Sequence, residues 1–364
     1  MSSLVEKITD KATAKGAPTP EGQHLAAIIP SKRSPFEITH RPTPKPGPDE
    51  LVIQVKALAL NPIDYYQRHY GFPTINYPAI IGSDIAGTVI AAGSSVASDA
   101  PKPGARVAAF AQSFFVLGDP DYGAFQTHVL VPAANAVPLP QGMSFHEGSI
   151  LPMAVKTVFA GWHTIGLPLD AVHTAADKQG ILVWGGASSV GTAAVQIAHL
   201  MGFRVYATAS EKHHEYLKTL GASQVFDYKD DGVVERIVQA AKADGVTIAV
   251  GYLAAGPLQS GILHILDQTR GEGTAKLASA PPLAENPPTL DGVEVKFVVS
   301  PAEKAERREF DHFVFAVWLK DKLEKGEFVP SPKIRVVGKG LESLENALAE
   351  WNKGVSGEKI VLDM

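Results

Sequence analysis

The sequence predicts an α/β protein in two parts, a compact β-rich domain and a doubly wound parallel sheet. Three observations predict it. From Leu60 to about residue 140, short apolar runs alternate with glycine and proline, the texture of a mostly β domain. From Ile181 onward, strand-like and helix-like segments alternate, as in a parallel sheet covered on both faces. At the head of that second region, Gly180 to Gly202 reads as a strand, a small-residue turn and a helix.

Residues 1–22 read as a loose arm with a short helix over Leu4 to Ala12. His24 to Ile29 and Phe36 to Thr39 suit paired strands, and Arg41 to Glu50, with four prolines, a connection. Leu51 to Leu60 alternates as a half-buried strand does. Val155 to Ile165 is helical in pattern. Further strands are expected at Arg204 to Thr208, Gln224 to Tyr228, Thr247 to Tyr252, Thr274 to Ala278 and Val293 to Val299. The helices between them are Glu211 to Leu220, Gly232 to Ala243 and Leu258 to Leu266, and Ala302 to Lys325 has helical periodicity. The tail reads strand, helix, strand over Lys333 to Val337, Leu341 to Lys353 and Lys359 to Leu362, returning to the first domain. The expected domains are 1–154 with 310–364, and 155–309.

Composition narrows the function. At 364 residues the chain suits two domains. A net charge of −5 is too mild for nucleic-acid binding. The absence of cysteine excludes disulfides, thiolate metal sites and a cysteine nucleophile. No apolar run approaches the roughly 20 residues of a membrane span. The polar start, with Glu6 and Asp10, is unlike a secretory or transit segment. A cytoplasmic location is expected.

The turn after Trp184 is the centre of the functional reading. Ile181 to Trp184 is a buried-strand pattern, and Val190, Ala193, Ala194, Ile197 and Ala198 recur at helical spacing. The turn residues Gly186, Ala187, Ser188, Ser189, Val190 and Gly191 bring backbone N–H groups and a helix N-terminus to one point, which suits a pyrophosphate. The spacing departs from G-x-G-x-x-G, and a tight strand-to-helix connection in any α/β protein shares the signature. The rival reading, a serine nucleophile elbow G-x-S-x-G, fails because Val190 stands where its second glycine is required.

The next strand ends in Ser210, Glu211, Lys212, His213 and His214. An acid at the strand end would favour the ribose 2′-hydroxyl of NAD. Here the end is neutral, and Ser210 and Lys212 offer the donors and charge that a 2′-phosphate needs, so NADPH is the expected cofactor. Glu211 suits the first residue of a helix through the helix dipole. Ser210 also reads as a helix N-cap, and Lys212 as solvated surface.

These residues resemble the medium-chain dehydrogenase/reductase superfamily. The landmarks fall in order: Asn61-Pro-Ile-Asp64, Gly82 to Val89, Pro103 to Val107, Gly123 to Thr127, the glycine turn, Gly221 to Tyr228, and Gly354 to Val361. The chain looks closest to the zinc-free branch of quinone and enoyl reductases, and the turn to fungal reductases acting in trans with polyketide synthases. The resemblance implies a Rossmann domain for the nucleotide and a GroES-like catalytic domain. Zinc alcohol dehydrogenases need a cysteine near position 61–64 and a His-Glu pair after Gly82; this chain has Asn-Pro-Ile-Asp and Ser83-Asp84. No metal is therefore expected. Without a Lewis acid, an alcohol is poorly activated for hydride removal, whereas an α,β-unsaturated carbonyl already accepts hydride at its β carbon.

The resemblance also implies site residues. The Asn61 to Asp64 loop lies against nicotinamide and substrate in the superfamily, with Asn61 a candidate to hold a carbonyl. Tyr65 and Tyr70 are candidate proton donors, although ordinary packing explains such tyrosines equally. Asp64 more commonly orders its own loop than transfers protons. Thr157 is implied as a nicotinamide contact, beside Lys156, which reads as a surface charge. Tyr228 is implied to flank the 2′-phosphate. Leu277 and Ala278, read as following the fifth strand, would lie along the nicotinamide, and Val355 and Ser356 make a further cofactor contact. The expected function is a zinc-independent, NADPH-dependent reductase of an enoyl thioester or enone, free or carrier-bound, in fungal secondary metabolism. Quinone reduction is the enzymatic alternative, and an NADPH-binding structural or sensing protein the alternative of another class. Neither nucleic acid nor membrane is expected as a partner, and monomer and homodimer both remain open.

Overall fold

The computed structural model describes residues 19–74 and 76–364; the helix expected over Leu4 to Ala12 lies outside them. The chain forms two compact units. One comprises the described residues up to Pro138, with Val336–Lys353 and Ile360–Met364; the other comprises Leu139–Arg335 and Gly354–Lys359.

The first unit opens with an antiparallel pair, β1 (Gln23–Ile28) and β2 (Glu37–Pro42). There follow β3 (Glu50–Ala59), α1 (Pro62–Tyr70), β4 (Asp84–Ala92), β5 (Arg106–Phe110), β6 (His128–Pro132) and β7 (Ala136–Pro138). Helix α1 stands where the sequence reads as a loop. Asn61 caps it, Pro62 fills a first position that needs no N–H, and Asp64 accepts from the Asn61 N–H. Gly71, at φ +70°, ends it.

In the second unit α2 (Phe145–Ser149) and α3 (Pro152–Ile165) precede an alternating series. It runs β8 (Gln179–Trp184), α4 (Ser189–Leu200), β9 (Arg204–Thr208), α5 (His214–Thr219), β10 (Ala222–Phe226) and α6 (Val233–Asp244). It continues through β11 (Thr247–Leu253), α7 (Ser260–Thr269), β12 (Ala275–Ser279) and β13 (Val293–Phe297). These strands are all parallel, in the order β10-β9-β8-β11-β12-β13. The order reverses between β8 and β11, the switch point of a doubly wound sheet. Ile181, Leu182 and Val183 are fully buried, which is why β8 is an uninterrupted apolar run. Past β13 the chain turns onto α3: the Val299 N–H donates to Thr164 Oγ1 (3.1 Å), and that hydroxyl lies 3.0 Å from Val299 O.

The helical stretch read over Ala302 to Lys325 is α8 (Lys304–Asp311), a π-helical segment His312–Leu319 and α9 (Lys320–Glu324). Phe313 and Trp318 pack edge-on against Phe159 of α3, with ring centroids 5.8 and 5.0 Å away. The stretch therefore belongs with the second unit, which extends beyond the 155–309 read from texture.

The tail adds β14 (Lys333–Lys339), α10 (Leu344–Asn352) and β15 (Glu358–Asp363). The first unit's large sheet has the order β14-β15-β3-β4-β5-β7, with β6 also on β3. One edge of β3 pairs with β4. The other is shared, by β6 along Glu50 to Gln54 and by β15 along Ala57 to Ala59. Leu51, Ile53, Leu58, Ile85, Phe125, Leu348 and Leu362 meet in the core so formed.

His24 is buried in this unit at 1% exposure. Its Nε2 lies 2.7 Å from Gln126 Oε1, an acceptor, so this nitrogen carries the proton of a neutral ring. Burial lowers its pKa to about 4 against the opposing pull of Gln126. The unfolded chain therefore takes up a proton below about pH 6.5 that the folded chain refuses until about pH 4. Stability present above pH 6.5 is lost as pH falls through this window. Denaturant unfolding of the parent and of His24→Gln at pH 7 and pH 5 should show the stability gap between them narrowing by about 2 kcal/mol at the lower pH. A gap independent of pH would contradict the neutral assignment.

Candidate functional site

The turn after β8 is tied to the end of β9. The Gly185 N–H donates to Thr208 Oγ1 (3.1 Å) and the Gly186 N–H to Thr208 O (2.8 Å). Gly185 adopts φ +80°, which favours glycine. Ser188 caps α4: its hydroxyl accepts from the Gly191 N–H (3.0 Å) and donates to Gly185 O (2.9 Å). Both capacities of that hydroxyl are used inside the turn, as a nucleophile's would not be. Gly191 is required by space. A Cβ there would stand 2.2 Å from Gly185 O, so the helix starts directly against the turn. Ala187, Ser189 and Val190 are half-buried around it. The Ser189 hydroxyl is buried without a hydrogen-bond partner among the described residues. It stands at the first residue of α4, where the helix's positive end favours an anion. An orphaned donor, a helix N-terminus and a side-chain-free approach together fit a dinucleotide pyrophosphate.

A second cluster lies beyond the ends of β9 and β10. The Ser210 hydroxyl donates to Tyr228 OH (3.4 Å) and does not cap the following turn. Ser210 holds the N-cap position of the short 3-10 turn Glu211–His213 as expected, but its side chain turns to the neighbouring strand end instead of bonding the turn's N–H groups. Lys212 is exposed. Lys229, which the sequence reading did not single out, holds its ammonium 5.9 Å from the Tyr228 ring centroid. The carboxylate of Asp227 is taken up by the backbone, accepting from the N–H groups of Lys229 (2.9 Å) and Glu211 (3.2 Å). Those bonds, Lys229's first, hold its pKa below the usual value. His213 Nε2 lies 2.9 Å from Ser356 Oγ, and its ring covers Gly357. Burial, then Lys212, Lys333 and His214, lower the His213 pKa. Ser210, Lys212, His213, Tyr228 and Ser356 thus gather at one corner of the unit; Val355 beside them is 38% exposed.

A third group lies at the switch point. The Thr157 carbonyl accepts from Tyr252 OH (2.7 Å). Lys156 is no surface charge: it is 2% exposed and ion-paired with Asp311, 1% exposed. Burial lowers the Lys156 pKa, and Asp311 opposes that shift. Leu277 and Ala278 do not follow β12 but lie within it, fully buried, because the strand runs on to Ser279. The strand's open end falls at Ser279 and Ala280.

The remaining candidates stand in the first unit. Asn61 Nδ2 donates to Asp84 Oδ2 (2.9 Å), and the Asn61 N–H donates to Asp64 Oδ2 (2.7 Å). All three residues are buried. Asp64 thereby orders the start of α1. Tyr65 is half-buried between His69 (ring centroids 4.2 Å) and Trp351 (5.4 Å). Tyr70 is 53% exposed at the end of α1. Among the described residues no group of three or more His, Cys, Asp or Glu is placed to hold a metal ion. With an amide, a hydroxyl and carboxylates in place of thiolate and imidazole, this donor set does not fit catalytic zinc.

Residues 47–141 match the family described as "Alcohol dehydrogenase GroES-like domain" and residues 189–275 match "Zinc-binding dehydrogenase". Trans-enoyl reductase tndF of Aspergillus flavipes is 46% identical over 341 residues, covering 93% of this chain and 99% of the relative. Trans-enoyl reductase tazE of Aspergillus terreus is 50% identical over 277 residues, covering 76% and 91%. Among solved structures, an alcohol dehydrogenase superfamily protein from Novosphingobium aromaticivorans superposes with TM-score 0.76 at 22% identity, covering 94% of this chain and 99% of that one. A quinone oxidoreductase from Pseudomonas syringae superposes with TM-score 0.70 at 24% identity, covering 94% and 100%.

Gly191→Ala should force the start of α4 off the turn. Thermal unfolding and nucleotide titration should show a lower Tm and affinity for a nicotinamide dinucleotide weakened by about tenfold or more, as close-packed backbone has no room to yield. An alanine variant with unchanged affinity would remove the turn from the nucleotide site.

Proposed function

The chain belongs to the medium-chain dehydrogenase/reductase superfamily, and from that we propose a zinc-independent, NADPH-dependent reductase of an activated carbon–carbon double bond. The observation that carries the proposal is the Asn61–Asp84 hydrogen bond. It puts an amide bonded to a carboxylate at the positions where zinc dehydrogenases need metal ligands. The likeness to two trans-enoyl reductases supports an enoyl thioester as the substrate class.

NADPH, when bound, supplies the hydride. The residues of this chain do the rest. The Gly186–Gly191 turn and the Ser189 hydroxyl bind the pyrophosphate. Ser210, Lys212 and Tyr228 hold the 2′-phosphate through two hydroxyls and an ammonium, with His213 and Ser356 beside them. Thr157 would contact the nicotinamide when the cofactor is bound. Asn61 orients the substrate carbonyl, its amide held by Asp84 and its backbone by Asp64. After hydride arrives at the β carbon, the α carbon or the oxygen needs a proton, and Tyr65 or Tyr70 delivers it, directly or through water.

Titration of the protein with NADPH and NADH, followed by the fluorescence of Trp184 one residue before the turn, should show NADPH binding more tightly. Lys212→Ala should reduce that preference by about tenfold, the effect of one hydrogen bond to a charged group. NADPH oxidation should then be faster with a short enoyl thioester than with a simple quinone. Equal affinity for the two nucleotides would overturn the cofactor assignment, and faster quinone reduction would overturn the substrate class.

A further inference from the structure

Helix α3 is fastened by buried polar ties at two consecutive residues. Lys156 is ion-paired with Asp311 at the end of α8, both essentially out of water. The next carbonyl, of Thr157, accepts the 2.7 Å hydrogen bond from Tyr252 OH. Tyr252 is fully buried and stands one residue before the end of β11, level with Val183 of β8 and Ala278 of β12. Gly161, one turn beyond Thr157, opens the gap for this contact: a Cβ there would come within 2.4 Å of the Tyr252 ring. The sheet order reverses between β8 and β11, and a doubly wound sheet takes its dinucleotide in the crevice beyond those strand ends. The two ties therefore fix α3 at that crevice.

Apolar packing would hold the helix to the sheet as firmly. A dry ion pair gives no more stability than well-packed apolar side chains of similar volume, and often less. What a charge pair and a hydroxyl–carbonyl bond add is direction: they fix the helix along its axis and in rotation, whereas apolar contacts permit small slides. The segment that follows Asp311 is π-helical over His312–Leu319, a departure that is found frequently at functional sites.

We infer that Lys156, Asp311 and Tyr252 are positioning residues that set the height of Thr157 against the nicotinamide ring. This rests on the reading of the second unit as the NADPH site. The three side chains act through α3 and need not touch the cofactor. Loss of the ties leaves the adenosine and pyrophosphate contacts in place and lets the ring move.

The test uses the full chain with Lys156→Met and Asp311→Leu combined, which removes both charges together, and Tyr252→Phe separately. Tm, NADPH affinity, the fluorescence of bound NADPH, turnover of an enoyl thioester and the primary deuterium isotope effect are measured for each. The combined variant should keep a Tm close to the parent's and an NADPH affinity within about threefold. The emission of its bound nicotinamide should shift toward that of free NADPH. Its kcat should fall by about tenfold or more, with an isotope effect larger than the parent's. Tyr252→Phe should change emission and kcat in the same direction, and it decides the matter if the combined variant fails to fold. Parent-like emission and turnover in the folded variants would overturn the inference alone. Failure of the parent chain to bind NADPH would overturn the nucleotide reading and the inference with it.

Discussion

A backbone oxygen, that of Gly185, occupies the space where a side chain on residue 191 would begin. The second unit depends on that one close approach. Because Gly191 has only hydrogen there, α4 can start directly above the end of β8. Ser188 can then close the turn with two hydrogen bonds, and Thr208 can clamp it from β9. The helix's positive end is thereby aimed at a fixed point beyond the sheet. A looser turn would bury the same apolar area but would not direct the helix. The unit's stability comes from its layers, and the aim of α4 from a gap one atom wide.

The first unit meets a comparable constraint through β3. That strand gives one edge to β4 and divides the other between β6 and β15, so the last strand of the chain completes the pairing of one of the first. Asn61 follows two residues after β3, and Asp84 is the first residue of β4. Their hydrogen bond therefore spans two neighbouring strands at one end of the sheet. The polar cluster at Asn61, Asp64 and Asp84 is a product of strand register.

What was legible in the sequence was local. The run Ile181 to Trp184, the small-residue turn and the apolar spacing of α4 lie within about twenty consecutive residues, and period and glycine placement describe them well. The alternation of later strands and helices was legible for the same reason, and with it the fold class. Helix α1 was written just as locally, as an N-cap asparagine, a proline and an acid at Asn61, Pro62 and Asp64, but resemblance to a loop hid it. Strand ends were less secure: Ser279 extends β12 by one residue, which turns Leu277 and Ala278 from rim into core. Partners far apart in the chain left no trace at all. Lys156 reads as a surface charge because Asp311 lies 155 residues away, and the Ser210 hydroxyl shows no sign of its bond to Tyr228, which stands 18 residues on, past the end of β10. Burial and pairing of polar groups are long-range facts, and a periodic pattern does not carry them.

The departure of the chain after Phe297 has a consequence for the outer rim of the parallel sheet. β13 is five residues long, and its Glu294 and Lys296 are ion-paired at 2.9 Å. Two residues further on, the Val299 backbone is engaged by Thr164. A foreign strand approaching this rim meets a short template, with charge upon it and its continuation already closed by a hydroxyl from the chain's own helix. Short, charged and sealed edges are how sheet proteins avoid recruiting one another into fibrils. Thr164 thus engages, from the chain's own helix, the backbone that continues this edge strand.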